Sequence, residues 1–563
     1  MNLEFPFSSF ELHGFKNCNM KKRSVFALKQ SRNRILQTQS GMAFIWILVL
    51  LVLVSTLSLS FLQKAVIGTS AAVSRESAMK TQYLARAAAN HALWRLLNDP
   101  DFSPTETDYD MHDFGDGRYG YKVQKPSLTQ FGTVATVGAV ENTVSRQSYV
   151  QYLKPYNIIT AYDRSAGGAI PKYRQLIGAY WGDPTDTLDE GPDVAPWFVL
   201  KGCPTRKEVI MGTLDNAFDI NFAVWDGTSW GNQIEFTQNA GESIYRSYDI
   251  AYENLSGDAL VVGRYDDATA IRYNIWNGTN WAFAPAGVHA GLANDSGVTF
   301  LTAASKPNSD EILTAWVQYT NDLWVAQWDG TAFNALGEID INTAIDKYGT
   351  ISIAYEQQSG HALIIWNHKS TTQLYYSIWN GAALTGPAVV PLNFGGIPYV
   401  IRAAADPDSD TIFVAAVDKS FDLNVAVWDG GAWTETSELS TNVNNNSFQI
   451  LDVAWEHSGA NVLVAWGDSS GGSNVQYYTW SKGTALADHA VQSGPDLQDD
   501  VSRVLLRPIS GTRKIILLAS NDSNQLRYSL WGGNKFLGDP AILLESSMPM
   551  GGLPFGIAES IAP

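Results

Sequence analysis

The stretch VWDGTSW at residues 224–230 shows the pattern that decides the fold of most of this chain. A tryptophan stands directly before a tight turn, and six related stretches follow it. They are IWNGTNW, QWDGTAF, IWNGAAL, VWDGGAW, TWSKGTAL and LWGGNKF, with tryptophans at Trp276, Trp328, Trp379, Trp428, Trp480 and Trp531. Successive tryptophans lie 49 to 52 residues apart, counted from Trp225. This regular period indicates that one structural unit is repeated along the chain.

Each copy predicts a β-hairpin. Asp-Gly and Asn-Gly pairs between β-prone residues favour type I′ turns, whose positive φ values match the twist of the strands they join. Two further β-prone runs precede each hairpin, as SYDIAYE does at residues 247–253 and DALVVGRY at residues 258–265. Four strands in about 51 residues is the size of a propeller blade. The sequence therefore predicts an all-β propeller over residues 158–563.

The number of blades depends on the two ends of this repeat region. YRQLIGAYW at residues 173–181 aligns without a gap with residues 273–281, and PFGIA at residues 554–558 resembles a first strand. We predict eight blades, with the C-terminal strand joining the N-terminal hairpin, because closure removes the sheet edges that promote aggregation. The alternative is seven blades, with residues 168–190 packed outside the ring.

Recurring aromatic and acidic residues within the repeat are interpreted as structural. Tryptophans that recur blade by blade favour packing between blades, since each ring can bury roughly 150 to 250 Å². Glu253, Glu356, Asp406 and Glu456 end the first strand of four blades. We expect them to accept hydrogen bonds from backbone amides of the next turn.

A ligand of the propeller is expected at the loops that join second to third strands, because polar and varied loops on a rigid scaffold suit recognition. A glycan or a surface protein is the partner that we expect there. The alternative is that these are ordinary turn residues. The candidate residues are Asp215, Asp266, Asp267, Asn321, Asp322, Asn367, His368, Asp418, Asp468, Asn521 and Asp522.

No catalytic residues are predicted, and the propeller is interpreted as a binding module rather than an enzyme. The WDGTxW turn resembles the Asp-box of sialidases, but it lacks the serine two residues before the aspartate, and we find neither an arginine triad nor the acid pair of glycoside hydrolysis. The eight histidines show no close pair at ligand spacing. No cofactor is predicted; two acidic loops are candidates for calcium, with solvated turns as the alternative. Their residues are Asp108, Asp110, Asp113 and Asp116, and Asp183, Asp186 and Asp189.

The front of the chain indicates a membrane span. Residues 42–62 contain no charge, and about 20 apolar helical residues cross a hydrocarbon core of roughly 30 Å. The preceding leader, residues 1–41, holds seven basic and two acidic side chains, which keeps the N-terminus cytoplasmic. The chain from Met42 onward then carries a formal charge of −23, against −18 for the whole sequence. Such an acidic surface repels phosphate backbones and argues against nucleic acid as a partner.

Helical character continues beyond the span. Alanine, leucine and arginine dominate YLARAAANHALWRLL at residues 83–97, and Pro100 ends the helix. We predict one transmembrane and amphipathic helix over residues 42–98. Short β-prone runs between residues 117 and 153 then predict a small antiparallel sheet in a domain spanning residues 99–157.

This front end, over roughly residues 20–153, resembles the minor pilins of type IV pili and the large minor pseudopilin of type II secretion. The motifs that carry the resemblance are Gln39-Ser40-Gly41-Met42-Ala43 and Tyr83-Leu84-Ala85-Arg86-Ala87. The resemblance implies that a prepilin peptidase cuts after Gly41 and that the new amino terminus at Met42 is methylated. It also implies a pilin-like α+β fold and other pilin or pseudopilin subunits as partners.

One departure from that family is informative. Major pilins place a glutamate five residues into the mature chain to pair with a neighbour's terminal amine, whereas Trp46 stands there in this sequence. A carboxylate in lipid costs several kcal/mol unless it is paired. Because a tip subunit has no partner above it, the absence suits a tip or initiating role, and the large minor pseudopilin lacks the glutamate too.

The sequence thus predicts a minor pilin or pseudopilin at the tip or initiation point of a type IV pilus-like filament. It would sit in a bacterial inner membrane as a single-pass protein, and then in the periplasm or at the cell surface within a filament. The propeller would serve adhesion or docking. The alternative is a membrane-anchored exported propeller, either a glycan-active enzyme or a receptor, outside any filament. Translation could start at Met1 or at Met20.

Overall fold

The computed structural model describes residues 40–98, 108–115, 117–124, 132–140, 144–153, 158–165, 170–177, 180–188, 193–265, 270–283, 289–293, 296–345, 349–444, 449–470 and 472–560. The predicted leader lies outside these residues apart from Ser40 and Gly41. The chain divides into two compact units, residues 1–76 and 77–563.

In the first unit, the described residues belong to helix α1, which spans Ser40–Asn98 as a whole. Its large apolar side chains are exposed, for example Ile47 at 59%, Leu51 at 66% and Phe61 at 70%. Among the described residues, this helix is long and apolar enough to cross a membrane, judged by its length and composition. The predicted helix is confirmed, and it begins two residues earlier than expected.

The second unit contains the last turns of α1 and a four-stranded antiparallel sheet in the order β1-β2-β3-β4. The strands are β1 (Asp110–Phe114), β2 (Gly117–Gln124), β3 (Gly132–Val140) and β4 (Val144–Leu153). Ala88 and Ala92 of α1 are fully buried in one cluster with Tyr121, Val123 and Val134 of the sheet. The small alanine side chains of the helix allow this close packing.

The acidic stretch around Asp110 differs from the predicted loop. Asp110 and Asp113 lie on β1, which pairs with β2 so that Phe114 is opposite Gly117. The turn between them contains Gly115 at a φ of +62°, a conformation that glycine adopts without steric cost. That tight turn brings the acidic segment into the sheet.

The remaining strands form small antiparallel sheets that we number as blades in chain order. Blade 1 contains β9 (Trp197–Gly202), β10 (Val209–Leu214), β11 (Ile220–Trp225) and β12 (Trp230–Thr237), and blade 2 contains β13 (Tyr248–Tyr252), β14 (Ala259–Arg264), β15 (Ala270–Trp276) and β16 (His289–Ala293). Blade 3 contains β17 (Val298–Ser305), β18 (Ile312–Gln318), β19 (Leu323–Trp328) and β20 (Phe333–Asp340). Blade 4 contains β21 (Ile351–Tyr355), β22 (Ala362–Asn367), β23 (Leu374–Trp379) and β24 (Ala388–Val389).

Blades 5 to 7 follow the same order. Blade 5 contains β25 (Pro398–Ala405), β26 (Ile412–Asp418), β27 (Leu423–Trp428) and β28 (Trp433–Ser440). Blade 6 contains β29 (Leu451–Trp455), β30 (Asn461–Trp466), β31 (Asn474–Ser481) and β32 (Gln492–Asp496), with a 3₁₀ turn at Leu486–Asp488. Blade 7 contains β33 (Val501–Pro508), β34 (Ile515–Asn521), β35 (Leu526–Trp531) and β36 (Phe536–Glu545).

Blade 8 is built from both ends of the repeat region. Its sheet runs in the order β37-β5-β6-β7, with β8 also paired to β6. These strands are β5 (Ile158–Tyr162), β6 (Lys172–Ile177), β7 (Tyr180–Trp181), β8 (Thr185–Asp186) and β37 (Phe555–Glu559). The Thr160 hydroxyl donates to the Gly556 carbonyl across this junction at 2.9 Å.

The blades close into a ring. The first strand of each blade, β37 in blade 8, is the inner strand, and each inner strand contacts the next around the whole cycle, including β33 to β37 and β37 to β9. The described part of the chain therefore contains eight blades, as predicted, and the seven-blade alternative is wrong. The hairpin at residues 173–181 is the outer half of blade 8 rather than a segment packed outside.

The hairpin turns differ from the type I′ prediction. In the first copy Gly227 has a φ of +97°, whereas Asp226 is not among the residues of positive φ, and type I′ needs positive φ at both positions. The Asp226 carboxylate instead accepts hydrogen bonds from the amides of Thr228 and Ser229, each at 2.8 Å. Asn277, Asp329, Asn380 and Asp429 repeat this arrangement. The turns are closed by the side chain of their first residue.

The recurring acids and tryptophans contact each other between blades. The indole N–H of Trp328 donates to Glu253 of the preceding blade at 2.7 Å. Two further pairs join Trp428 to Glu356 at 2.7 Å and Trp531 to Glu456 at 2.9 Å. Each of these three glutamates thus accepts an indole N–H in place of the predicted backbone amide, and Ser256, Ser359 and Arg513 also donate to Glu253, Glu356 and Glu456, respectively. Asp406 accepts from the amide of Asp408 in its own turn.

Candidate functional site

The candidate ligand loops occupy the expected places between second and third strands, but several of their side chains are buried and hold the turns. Asp215 accepts hydrogen bonds from the amides of Ala217 and Asp219, both at 2.9 Å. Asp418 does the same for Ser420 and Asp422, at 2.8 and 2.9 Å. Burial raises the pKa of the Asp215 carboxyl, and the amide hydrogen bonds oppose that rise. These carboxylates already have partners within their own loops.

Three further candidates are buried and bind neighbouring segments. Asn367 donates to the carbonyl of Pro398 at 2.6 Å, and Asn521 donates to the carbonyl of Leu497 at 2.9 Å. Asp468 accepts from the hydroxyl groups of Ser440 and Ser470. Burial opposes but does not outweigh these bonds, which lower the pKa of the Asp468 carboxyl.

The other candidates are more accessible. Asn321, Asp322 and His368 are partly buried, and Asp522 is exposed. Asp266 and Asp267 lie outside the described residues. Because the accessible candidates come from blades 3, 4 and 7 and the buried ones bind their own turns or neighbouring segments, a ligand site at these loops stays a prediction.

Three of the acidic side chains considered for calcium pair with cationic side chains. Asp113 forms a salt bridge to Arg118 at 2.7 Å, and Asp110 lies 3.6 Å from Arg95. Asp186 is paired with Lys172. Asp116 and Asp189 lie outside the described residues. Within the residues that the structure describes, no group of three or more His, Cys, Asp or Glu side chains could hold a metal ion.

A cavity of about 830 Å³ lies where the inner strands of the propeller end. Its walls come from β9, β13, β17, β21, β33 and β37 and the residues that follow them, so it lies on the axis of the ring. Charged side chains in the wall are Lys201, Arg507 and Glu559. Hydroxyl-bearing residues in the wall are Thr302, Ser305, Ser510 and Ser560, and apolar ones include Ile250, Ile353 and Ile509.

Further charged side chains of the ring, outside the cavity wall, interact with the wall residue Lys201. The Arg246 guanidinium lies 3.6 Å from the Asp249 carboxylate. Burial lowers the pKa of the Lys201 ammonium; Asp249 opposes that shift, while the positive charges of Arg246 and Arg507 add to it. These four side chains therefore act on one another although they come from three blades.

Arg246 also links this group to a second one. Burial lowers the pKa of Arg402 to about 10, with Asp452 opposing the shift and Arg246 adding to it. The Arg402 Nε lies 3.9 Å from the Asp452 carboxylate, and its Nη2 donates to Gln449 at 2.6 Å. Four basic side chains, Lys201, Arg246, Arg402 and Arg507, are thus collected around the axis of an otherwise acidic protein.

Sequence reasoning missed this basic group. Lys201, Arg402 and Arg507 each stand within an apolar inner strand, in FVLKG, VIRAAA and VLLRP. A charged residue in a strand that is otherwise apolar is the signal that could have found them. The position of each strand at the axis, which brings the three together, comes from the ring and not from the strand itself.

No protein-family model matches the chain, and no curated protein matches it. Among solved structures, the BP39L lectin from Burkholderia pseudomallei is similar with a TM-score of 0.45 and 13% identity, covering 62% of this chain and 99% of the lectin. AofleA from Arthrobotrys oligospora has a TM-score of 0.35 and 9% identity, covering 66% and 91%. The fucose-specific lectin from Aleuria aurantia has a TM-score of 0.32 and 13% identity, covering 52% and 93%.

Proposed function

We propose that this chain is a minor pilin or pseudopilin at the tip or initiation point of a type IV pilus-like filament, with the propeller as its adhesion or docking head. The observation that carries the proposal is the change of environment along one helix. Residues from Ile47 to Val73 of α1 expose large apolar side chains, whereas Ala88 and Ala92 are buried against a four-stranded sheet.

The first part of the helix needs an apolar environment. Leucine, isoleucine, valine and phenylalanine side chains there are more than 40% exposed. A contiguous apolar surface of this kind marks a membrane or protein contact. Lipid supplies that contact before assembly, and the helices of neighbouring subunits supply it within a filament.

The second part of the helix is built to carry a folded domain. A Cβ placed on Gly138 would lie 2.3 Å from the carbonyl oxygen of Thr81, and one on Gly117 would lie 2.6 Å from Leu84. The helix backbone therefore approaches β3 so closely that only glycine fits at Gly138, whereas at Gly117 the near atom belongs to the end of the Leu84 side chain. This makes the last turns of α1 and the sheet one packed unit.

Two independent features favour the tip over the shaft. Trp46 replaces the carboxylate that would pair with a neighbour's terminal amine. The eight-bladed ring uses about 400 residues, which is larger than a typical domain of about 50 to 250 residues. A head of that size fits the end of a filament better than a position between closely packed shaft subunits.

Leader processing tests the proposal. We expect Gly41→Val to stay uncut when prepilin peptidase is present, whereas the native chain yields a mature N-terminus at Met42, read by mass spectrometry, and is recovered in sheared filaments. Gly68→Val is the matched control, since nothing lies within 4 Å of a Cβ at Gly68. Normal processing of Gly41→Val, or an uncut protein that turns over a glycan, would contradict the proposal and favour the membrane-anchored alternative.

A further inference from the structure

We propose that the axial cavity of the propeller binds an acidic sugar, with its carboxylate at Lys201 and Arg507 and its hydroxyl groups at Thr302, Ser305 and Ser510. All five residues line the cavity. This inference rests on the proposed function in one respect only, because it names the class of ligand that the displayed head would take.

The basic side chains have hydrogen-bonding capacity that the protein does not use. Within the described residues, the buried Nε of the wall residue Arg507 has no hydrogen-bond partner; the same is true of the Nε of Arg246, which lies outside the wall. A buried donor left without a partner costs about 1 to 3 kcal/mol, and more when the group is charged. A fixed N–H group of a guanidinium is well suited to a carboxylate, which can accept two parallel hydrogen bonds.

The acidic side chains nearby are occupied to a greater degree. Asp249 accepts from the amides of Ile250 and Ala303, at 2.9 and 3.0 Å. Asp452 accepts from the amides of Val453 and Leu506, at 3.0 and 2.8 Å. These contacts tie the carboxylates to the edges of inner strands that face the axis, where the backbone amides pair with no other described strand.

Glu559 is the acidic side chain in the cavity wall itself, and it is also engaged. One of its oxygens accepts from both the amide and the hydroxyl of Ser510, each at 2.9 Å. Asp249 lies near Arg246, Asp452 near Arg402, and Glu559 attracts Arg507, so the four basic groups exceed these three acidic ones by a single charge. The remaining positive charge is set in a head whose chain is strongly acidic, so an anion is attracted to this place in particular.

The size and lining of the cavity favour a sugar over a simple ion. A cavity of about 830 Å³ lies within the range of roughly 300 to 1,000 Å³ that small-molecule sites occupy. Hydroxyl-bearing residues can exchange hydrogen bonds with sugar hydroxyls, and Ile250, Ile353 and Ile509 offer apolar surface for the faces of a ring. An inorganic anion would use the charges and leave most of this wall without a contact.

Titration of the full chain in detergent micelles tests the inference, with digalacturonate as the probe and galactobiose as its neutral counterpart. We expect digalacturonate to bind and galactobiose to bind about tenfold more weakly or not at all, since one charge-assisted contact is worth about that factor. Arg507→Gln and Lys201→Gln should each weaken digalacturonate binding about tenfold. Arg507→Lys should retain part of it.

Lys207→Gln is the matched control, because Lys207 is exposed and is not part of the cavity wall. Thermal unfolding of every variant checks that the ring is intact, and Lys201→Gln keeps the test decisive if Arg507→Gln does not fold. Equal binding of galactobiose, equal affinity for sulfate, or unchanged binding by both variants would overturn the inference. If the native chain did not bind digalacturonate but its leader were cleaved normally, the ligand class would be wrong and the filament role would stand.

Discussion

The interface between blades 8 and 1 is built differently from the interfaces that precede blades 3, 5 and 7. In the latter three, a glutamate at the end of one inner strand accepts the indole N–H of a tryptophan in the next blade. The inner strands there add a second hydrogen bond between blades. The side chains of Asp249, Ser352 and Asp452 accept the backbone amides of Ala303, Ala403 and Leu506, respectively. These three interfaces repeat the same chemistry in every second blade.

The closing interface has one comparable side-chain contact, in which Asp163 accepts the amide of Ala195 at 2.7 Å, and it adds close backbone contacts. Leu553 forms a parallel bridge with Trp197, and its carbonyl accepts the amide of Phe198 at 3.0 Å. A Cβ on Gly202 would lie only 1.8 Å from the carbonyl oxygen of Glu559. These three interfaces are thus held by side chains that recur in every second blade, whereas closure brings two distant chain segments into close backbone contact.

The largest effect is expected where the backbones are closest. Gly202→Ala should destabilise the propeller by about 3 kcal/mol, because overpacking at a backbone contact cannot be relieved by rotating a side chain. Urea unfolding of the full chain in detergent, followed by tryptophan fluorescence, measures this. Gly231→Ala is the control, since nothing lies within 4 Å of a Cβ there. Equal stability of the two variants would mean that closure tolerates more space than the structure shows.

A smaller effect is expected at a repeated interface. Glu356→Ala leaves the buried indole N–H of Trp428 without its acceptor and should cost about 2 kcal/mol. Glu356→Gln should cost clearly less, because its amide oxygen can still accept that bond. Glu438→Ala, at an exposed position, should change the free energy of unfolding by no more than about 0.5 kcal/mol. If Ala and Gln at position 356 behaved alike, the indole contact would not be what stabilises this interface.

The smallest effect is a pH dependence of the interface between blades 6 and 7. Burial raises the pKa of the Asp452 carboxyl from 3.8 to about 6, while Arg402 and the amides of Leu506 and Val453 oppose the rise. The folded state therefore holds this proton more tightly than the unfolded state. Its contribution to stability is fully present below pH 3.8 and is lost as the pH rises through about 6.

Asp452→Asn removes that titration. The measurement compares the free energy of unfolding of the variant with that of the native chain from pH 3.5 to 7.5. The variant should become more stable relative to the native chain as the pH increases through this window. Parallel curves for the two proteins would show that Asp452 has the same pKa in both states.

The propeller itself could be predicted because its signals are local. A tryptophan before a tight turn marks the third strand of blades 1 to 7, and the even spacing of these tryptophans marks each blade. Even the closure at blade 8 followed from the alignment of residues 173–181 with residues 273–281. The predicted type I′ turn was wrong, because the side chains of Asp226 and its equivalents close the turn. Positive φ is therefore needed at the glycine alone.

The partners of the recurring glutamates were not predictable in the same way. Glu253 and Trp328 are 75 residues apart, and the same is true of Glu456 and Trp531. A backbone amide in the next turn was the nearest acceptable donor in sequence. The indole comes into reach only because consecutive blades stack face to face, and that stacking is a property of the ring.

The sequence by itself determined the repeat, the number of blades and the long helix with its apolar first half, since each depends on spacing and hydrophobic pattern within about 50 residues. Only the tertiary structure decided the inter-blade hydrogen bonds and the basic group around the axial cavity. Lys201, Arg246, Arg402 and Arg507 belong to four different blades or their leading loops, and no single segment shows that they come together. Closing the ring places them around one axis, where their charges act together.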